Sequence, residues 1–180
     1  MRWHLVVSLA SLATTVMALV SRAQQAAPDV PKEITAPSGY KMLFHVEAKG
    51  VQIYKAVKGS SGGLEWVPEA PLADLFDANG AKAGLHYDGP SWEAADGSKV
   101  VRDKAEDVKS APAPKPKEDI PWLLVKVKAA EGSEGRFTPT VYIQRLQTQG
   151  GKPPAELPKR ADTKVGVPYK AVYYFYGKAK

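Results

Sequence analysis

Beyond its first two dozen residues the chain has no long stretch in which apolar side chains recur every 3.6 residues. They alternate instead, and turn signals break the alternation about every 8 to 12 residues. That property removes helix bundles and α/β folds, whose helices need an apolar stripe at the longer period. Met42, Phe44 and Val46 alternate with Leu43, His45 and Glu47, and Val51 to Tyr54 continues in the same style. Ala83, Leu85 and Tyr87 alternate with Gly84, His86 and Asp88, which predicts His86 and Asp88 on one face and the core residues on the other. Leu64 to Val67, Leu72 to Phe76, Leu123 to Val127 and Val141 to Ile143 are further short strand candidates. Ala171 to Tyr176 is aromatic and β-branched, which suits a strand covered on both faces.

Turns are expected at Ala48-Lys49-Gly50, Ser60 to Gly63, Asp77 to Gly80, Gly89-Pro90 and Asp96-Gly97. Residues 110–118, rich in Pro, Ala and Lys, favour extended polyproline II and are expected as a long loop within the domain. The whole pattern predicts roughly nine or ten strands in an all-β fold, a single-domain antiparallel β-sandwich or closed β-barrel.

Residues 1–23 read as an export signal. A short basic start with Arg2 and His4 precedes an apolar run from Leu5 to Val20, and Ser21-Arg22-Ala23 ends in small residues. Cleavage after Ala23 leaves 157 residues: a flexible lead-in at 24–39 and one β domain at 40–180. The expected location is therefore secreted or periplasmic, with no membrane span after signal cleavage. The net charge is +6, of which Arg2 and Arg22 leave with the leader. The remaining +4 is spread over separate lysines, with no dense basic block of the kind that binds nucleic acid. The absence of cysteine excludes a thiol nucleophile and a cysteine metal site.

The densest chemistry lies in His86 to Ser98. Its His86, Asp88, Trp92 and Glu93 are candidates for one pocket, with Gln144 and Arg145 arriving from another strand. A histidine exchanges protons near neutral pH, and a carboxylate can orient it or act as base, so His86, Asp88 and Glu93 are the candidate catalytic residues. Trp92 offers a stacking surface, and Arg145 a two-point grip on a carboxylate or phosphate. Trp92, Gln144 and Arg145 are thus the candidate ligand-binding residues. The opposite reading has His86 bonded to backbone in a turn, Trp92 filling core and Glu93 paired with a lysine.

Because adjacent strand residues face opposite ways, one of Gln144 and Arg145 points inward. If it is Arg145, the acids of the His86 block are its natural partners. Trp66 and Trp122, among apolar neighbours, read as core. No metal set is present, since only His45 and His86 remain after the leader and no HExxH spacing occurs. No cofactor is indicated either. Gly62-Gly63 and Gly150-Gly151 lack the residues of a phosphate loop.

Several blocks together resemble the secreted family catalogued as domain of unknown function 3455. They are Gly50 to Tyr54, Trp66 with Glu69-Ala70 and Leu72, His86 to Ser98, Ile120 to Leu124, Ile143 to Arg145 with Thr148 and Gly150-Gly151, and Val167 to Tyr176. The resemblance runs in order along the mature chain and implies no particular chemistry. It also implies a cysteine pair in many relatives at neighbourhoods held here by Ala56 and, approximately, Pro158. Such a disulfide is worth typically about 2–4 kcal/mol, for which this chain compensates through packing or accepts lower stability.

Three functions follow as expectations. The first is a non-catalytic exported binding or surface protein taking a small molecule or saccharide near His86, Trp92 and Arg145. The second is a hydrolase or isomerase using His86 with Asp88 or Glu93. The third is a structural exported protein without a ligand site.

Overall fold

The computed structural model describes residues 28–179. The expected signal at 1–23 and the first residues of the lead-in lie outside the described residues. Nine strands follow a short 3-10 turn at Lys32–Ile34: β1 (Tyr40–Lys58), β2 (Leu64–Phe76), β3 (Lys82–Tyr87), β4 (Ser91–Ala94), β5 (Lys99–Arg102), β6 (Lys109–Ala111), β7 (Trp122–Ala129), β8 (Thr140–Gly150) and β9 (Lys164–Lys178). All pairings between them are antiparallel. The strand order is β5-β4-β3-β2-β1-β9-β8-β7-β6, and β5 also pairs with β7, which closes the sheet into a ring. Val100 to Arg102 meet Val127 to Ala129, while β6 takes the other half of the same edge at Trp122 to Leu124. Of the two architectures left open by alternation, the sheet is the closed barrel.

Inward positions form one core: Val46 and Ala48 of β1, Leu75 of β2, Trp92 of β4, Val100 of β5, Val127 of β7, Ile143 of β8, and Tyr169, Tyr173 and Phe175 of β9. One end is plugged by aromatic packing, with Phe44 stacked 4.6 Å from Phe175 and 5.4 Å from Phe137. A second cluster lies outside the barrel, where Ile34 packs with Leu124, Leu146, Tyr174 and Tyr176. β9 is thus covered on both faces, as its composition predicts.

The sequence pattern misleads at four places. Ala48-Lys49-Gly50 is no turn, because β1 runs through it while pairing with β2 on one side and β9 on the other. Gly50 is small for a different reason: a Cβ there would lie 2.1 Å from the Leu72 carbonyl oxygen and 2.4 Å from Ala73 Cα. Next, Leu64–Val67 and Leu72–Phe76 belong to one strand despite Pro68 and Pro71. β2 meets β3 only at Ala73 to Phe76, so both prolines fall where β2 has no neighbour on that side and needs no donor. Ser110 and Ala111, expected in the Pro-rich loop, pair instead with Leu123 and Trp122.

The fourth concerns β3. Leu85 faces out, 37% exposed, and His86 is buried at 3%. Trp66 and Trp122, read as core, are only half-buried.

Strand lengths shape the barrel. β1, β8 and β9 have 19, 11 and 15 residues, whereas β3, β4 and β5 have 6, 4 and 4. The wall is therefore high on one side and low on the other, and the end opposite the phenylalanine plug stays open above the β3–β4 turn.

Candidate functional site

At this open end lies a cavity of about 400 Å³. Its walls come from the upper halves of the long strands and the tops of the short ones. Along β1 the inward parity that begins at Phe44 carries through Gly50 to Gln52 and Tyr54, which line it. Pro68 to Pro71 contribute from the unpaired stretch of β2, and Pro90 and Arg102 from the low rim.

Three rings in mutual contact belong to its wall. His86 lies 4.3 Å from Trp92 at 13° between planes, and Tyr173 meets His86 edge-on at 5.0 Å. Pairing places His86 opposite Trp92, so the β3–β4 hairpin itself holds the two rings in register.

His86 Nδ1 is 2.8 Å from the Ser91 carbonyl oxygen. A carbonyl only accepts, so Nδ1 carries the ring proton. Burial pulls the imidazole pKa down to about 3 against the help of the Ser91 bond, and the nearby Arg145 charge lowers it further. At neutral pH the ring is uncharged. Burial likewise raises the Tyr173 and Tyr54 hydroxyls, and Arg145 opposes both shifts. The Tyr54 hydroxyl donates to the Gly151 carbonyl at 2.7 Å, tying the rim of β1 to the end of β8.

Arg145 is the inward member of its pair. It donates through Nε and Nη2 to the Pro121 carbonyl oxygen, at 3.3 and 2.8 Å. The acids of the His86 block do not meet it. Asp88 sits exposed in the β3–β4 turn, accepting the Gly89 N–H at 2.6 Å. Glu93 projects from the outer face of β4, where the Tyr87 hydroxyl donates to it and Lys99 Nζ lies 4.9 Å over the Tyr87 ring. Gln144 points away from the cavity into the outer cluster. There its Nε2 donates to the Ile34 carbonyl at 2.6 Å and its Oε1 accepts the Tyr176 hydroxyl at 2.7 Å.

The barrel thus brings His86, Trp92 and Arg145 together and leaves Asp88, Glu93 and Gln144 elsewhere. The reason is parity: residues one apart on a strand cannot share a face, and Asp88 lies beyond the end of β3. The close of the block serves another purpose. Asp96 Oδ1 accepts the Ser98 hydroxyl at 2.6 Å, Ser98 Oγ accepts the Phe137 N–H at 3.0 Å, and Asp96 Oδ2 accepts the Arg136 N–H at 2.9 Å. These bonds hold the β7–β8 loop and its plug residue Phe137 in place, and the Ser98 hydroxyl is the largest cause holding the Asp96 carboxyl down at about 2.

Gln52, Tyr54, Arg102 and Tyr173 are cavity residues that the sequence does not single out. Their signal is faint but present. Tyr54 keeps the parity of Val46 once Gly50 is read as strand, and Arg102 keeps the parity of Val100.

Residues 37–177 match the family model described as Protein of unknown function (DUF3455). No curated protein matches the chain, and no solved structure matches it.

Proposed function

Since the chain belongs to the family described as Protein of unknown function (DUF3455), which has no activity to transfer, we propose a function from the cavity itself. The protein is an exported, non-catalytic carrier or receptor, secreted or periplasmic, that holds a small molecule in the open end of the barrel. The carrying observation is the cavity of about 400 Å³, walled by Tyr54, Trp92, Ile143 and Tyr173 and set in a barrel whose other end is plugged. Sites of this kind, apolar with a few convergent polar groups, suit small ligands. The wall favours an aromatic or aliphatic body over a saccharide, because its rings already stack on one another and few free hydroxyls line it. Among the candidate catalytic groups only His86 reaches the cavity, and its neutral, carbonyl-bonded ring is a poor proton acceptor at pH 7.

The test is a binding screen of metabolites and glycans against the purified exported protein, read by thermal shift and tryptophan fluorescence. Binding without turnover, weakened in Trp92→Phe with the fold retained, is the expected result. Conversion of a bound compound that disappears in His86→Ala would replace the carrier with an enzyme. The export step is checked by N-terminal sequencing of the protein recovered outside the cytoplasm, which is expected to begin at Gln24.

A further inference from the structure

Two arginines line this one apolar cavity, Arg102 from the end of β5 and Arg145 from the middle of β8. Among the described residues neither has a carboxylate within ion-pair distance. Arg145 gives two of its five N–H groups to the Pro121 carbonyl, and its other polar neighbour is the Tyr173 hydroxyl, so the guanidinium charge meets no anionic partner. Arg102 Nε is buried without a partner, as is Nε1 of Trp92, another wall residue. The one acid of the wall, Glu69, is bound by Lys164 at 2.9 Å. Donors therefore outnumber acceptors, and two guanidinium charges sit beside apolar walls. Both arginines are half-buried, and a charge-assisted bond to an oxyanion offsets what their partial loss of water costs.

We propose that the ligand is amphipathic: an apolar body lies against Trp92, Ile143 and Tyr173, and an oxyanion, carboxylate or phosphate monoester, is gripped by Arg145 and Arg102. This rests on the carrier reading above and specifies its ligand. The anion would complete the fork of Arg145, whose other edge the Pro121 carbonyl already fixes, so the guanidinium is oriented before the ligand arrives.

The test uses probes that share a body and differ in the head. Naphthalene-2-carboxylate, its carboxamide and 2-naphthyl phosphate form one set; octanoate and octanamide form another. Each is titrated by calorimetry into the full exported chain, the Arg145→Gln and Arg102→Gln variants and the double variant, with circular dichroism confirming the fold of each.

The anion is expected to bind at least tenfold more tightly than its amide, and the advantage is expected to vanish in the double variant while amide binding persists. The tighter of the carboxylate and phosphate arms identifies the head group. Equal binding of anions and amides overturns this inference and leaves the carrier reading standing. An anion preference that survives in the double variant overturns it as well, because the charge is then read elsewhere. Failure of every probe removes the carrier reading and this inference with it.

Discussion

At the scale of single residues, His86 shows how a strand can bury a titratable ring. The Ser91 carbonyl satisfies one nitrogen, Trp92 covers a face, and the cost appears as a pKa lowered to about 3. The folded state then binds fewer protons than the unfolded state wherever the pH lies between about 3 and the ordinary histidine value of 6.5. Its contribution is complete above about pH 6.5 and is lost as pH falls toward 3. Urea unfolding of wild type and His86→Phe should show it. The stability advantage of wild type is expected to shrink by roughly 2–3 kcal/mol between pH 7 and pH 4.5, and a difference that stays flat with pH would refute the buried neutral ring.

Ser98 is the second residue-scale case. It is 1% exposed, and its hydroxyl accepts the buried Phe137 N–H. Ser98→Ala leaves that N–H without an acceptor and is expected to cost about 1–3 kcal/mol, measured by urea unfolding. A change under about half a kcal/mol would mean the plug loop does not depend on this bond.

At the scale of elements, the close passage of β1 past β2 is the tightest demand on the sequence. Gly50→Ala places a methyl group on the Leu72 carbonyl and the Ala73 Cα, both backbone, so a strand must move. The expected loss is about 3 kcal/mol, at the upper end of overpacking costs, which for a chain of this size lowers Tm by roughly 6–12 °C. Gly63, in the β1–β2 turn, meets nothing within 4 Å and serves as the comparison. Gly63→Ala should leave Tm unchanged or slightly raised, because it restricts only the unfolded chain. Equal effects at the two glycines would contradict the tight crossing. The 3-10 turn adds an element-scale role for the lead-in: Ile34 is fully buried against the outer face, and its carbonyl takes the Gln144 amide.

At the scale of the whole molecule, stability and opening are divided around the ring. β1 and β9 pair from Tyr40–Lys178 to Lys55–Lys164, whereas β4 meets β5 at only three register positions. Hydrogen exchange should therefore be slowest in Val46 to Ala48 and Ala171 to Phe175, and faster in β3 to β5. A bound ligand should slow exchange at the low rim, in Tyr87 to Ser91 and at Arg102, more than at the phenylalanine plug. Protection appearing at the plug instead would place the ligand at the other end of the barrel.

The all-β class, most strand positions, the hairpin turns and the family blocks were legible in the sequence, because alternation and Gly, Pro or Asn turn chemistry act over a few neighbouring residues. His86, Trp92 and Arg145 were legible as chemistry for the same reason. Parity, however, is symmetric until something names the inside. The letters of β3 allow Leu85 or His86 to face the core, and closure of the ring by β5 and β7 chooses His86. Gly50 reads alike in a turn and in a crossing, and only the approach of Leu72 and Ala73 tells them apart. Arg102 and Arg145 lie 43 positions apart in the sequence, with nothing local to pair them. The sequence by itself determined the kind of sheet and the side chains available to it. Which of those side chains share a cavity was decided by tertiary structure alone, because that depends on strand order, shear and the unequal heights of the wall.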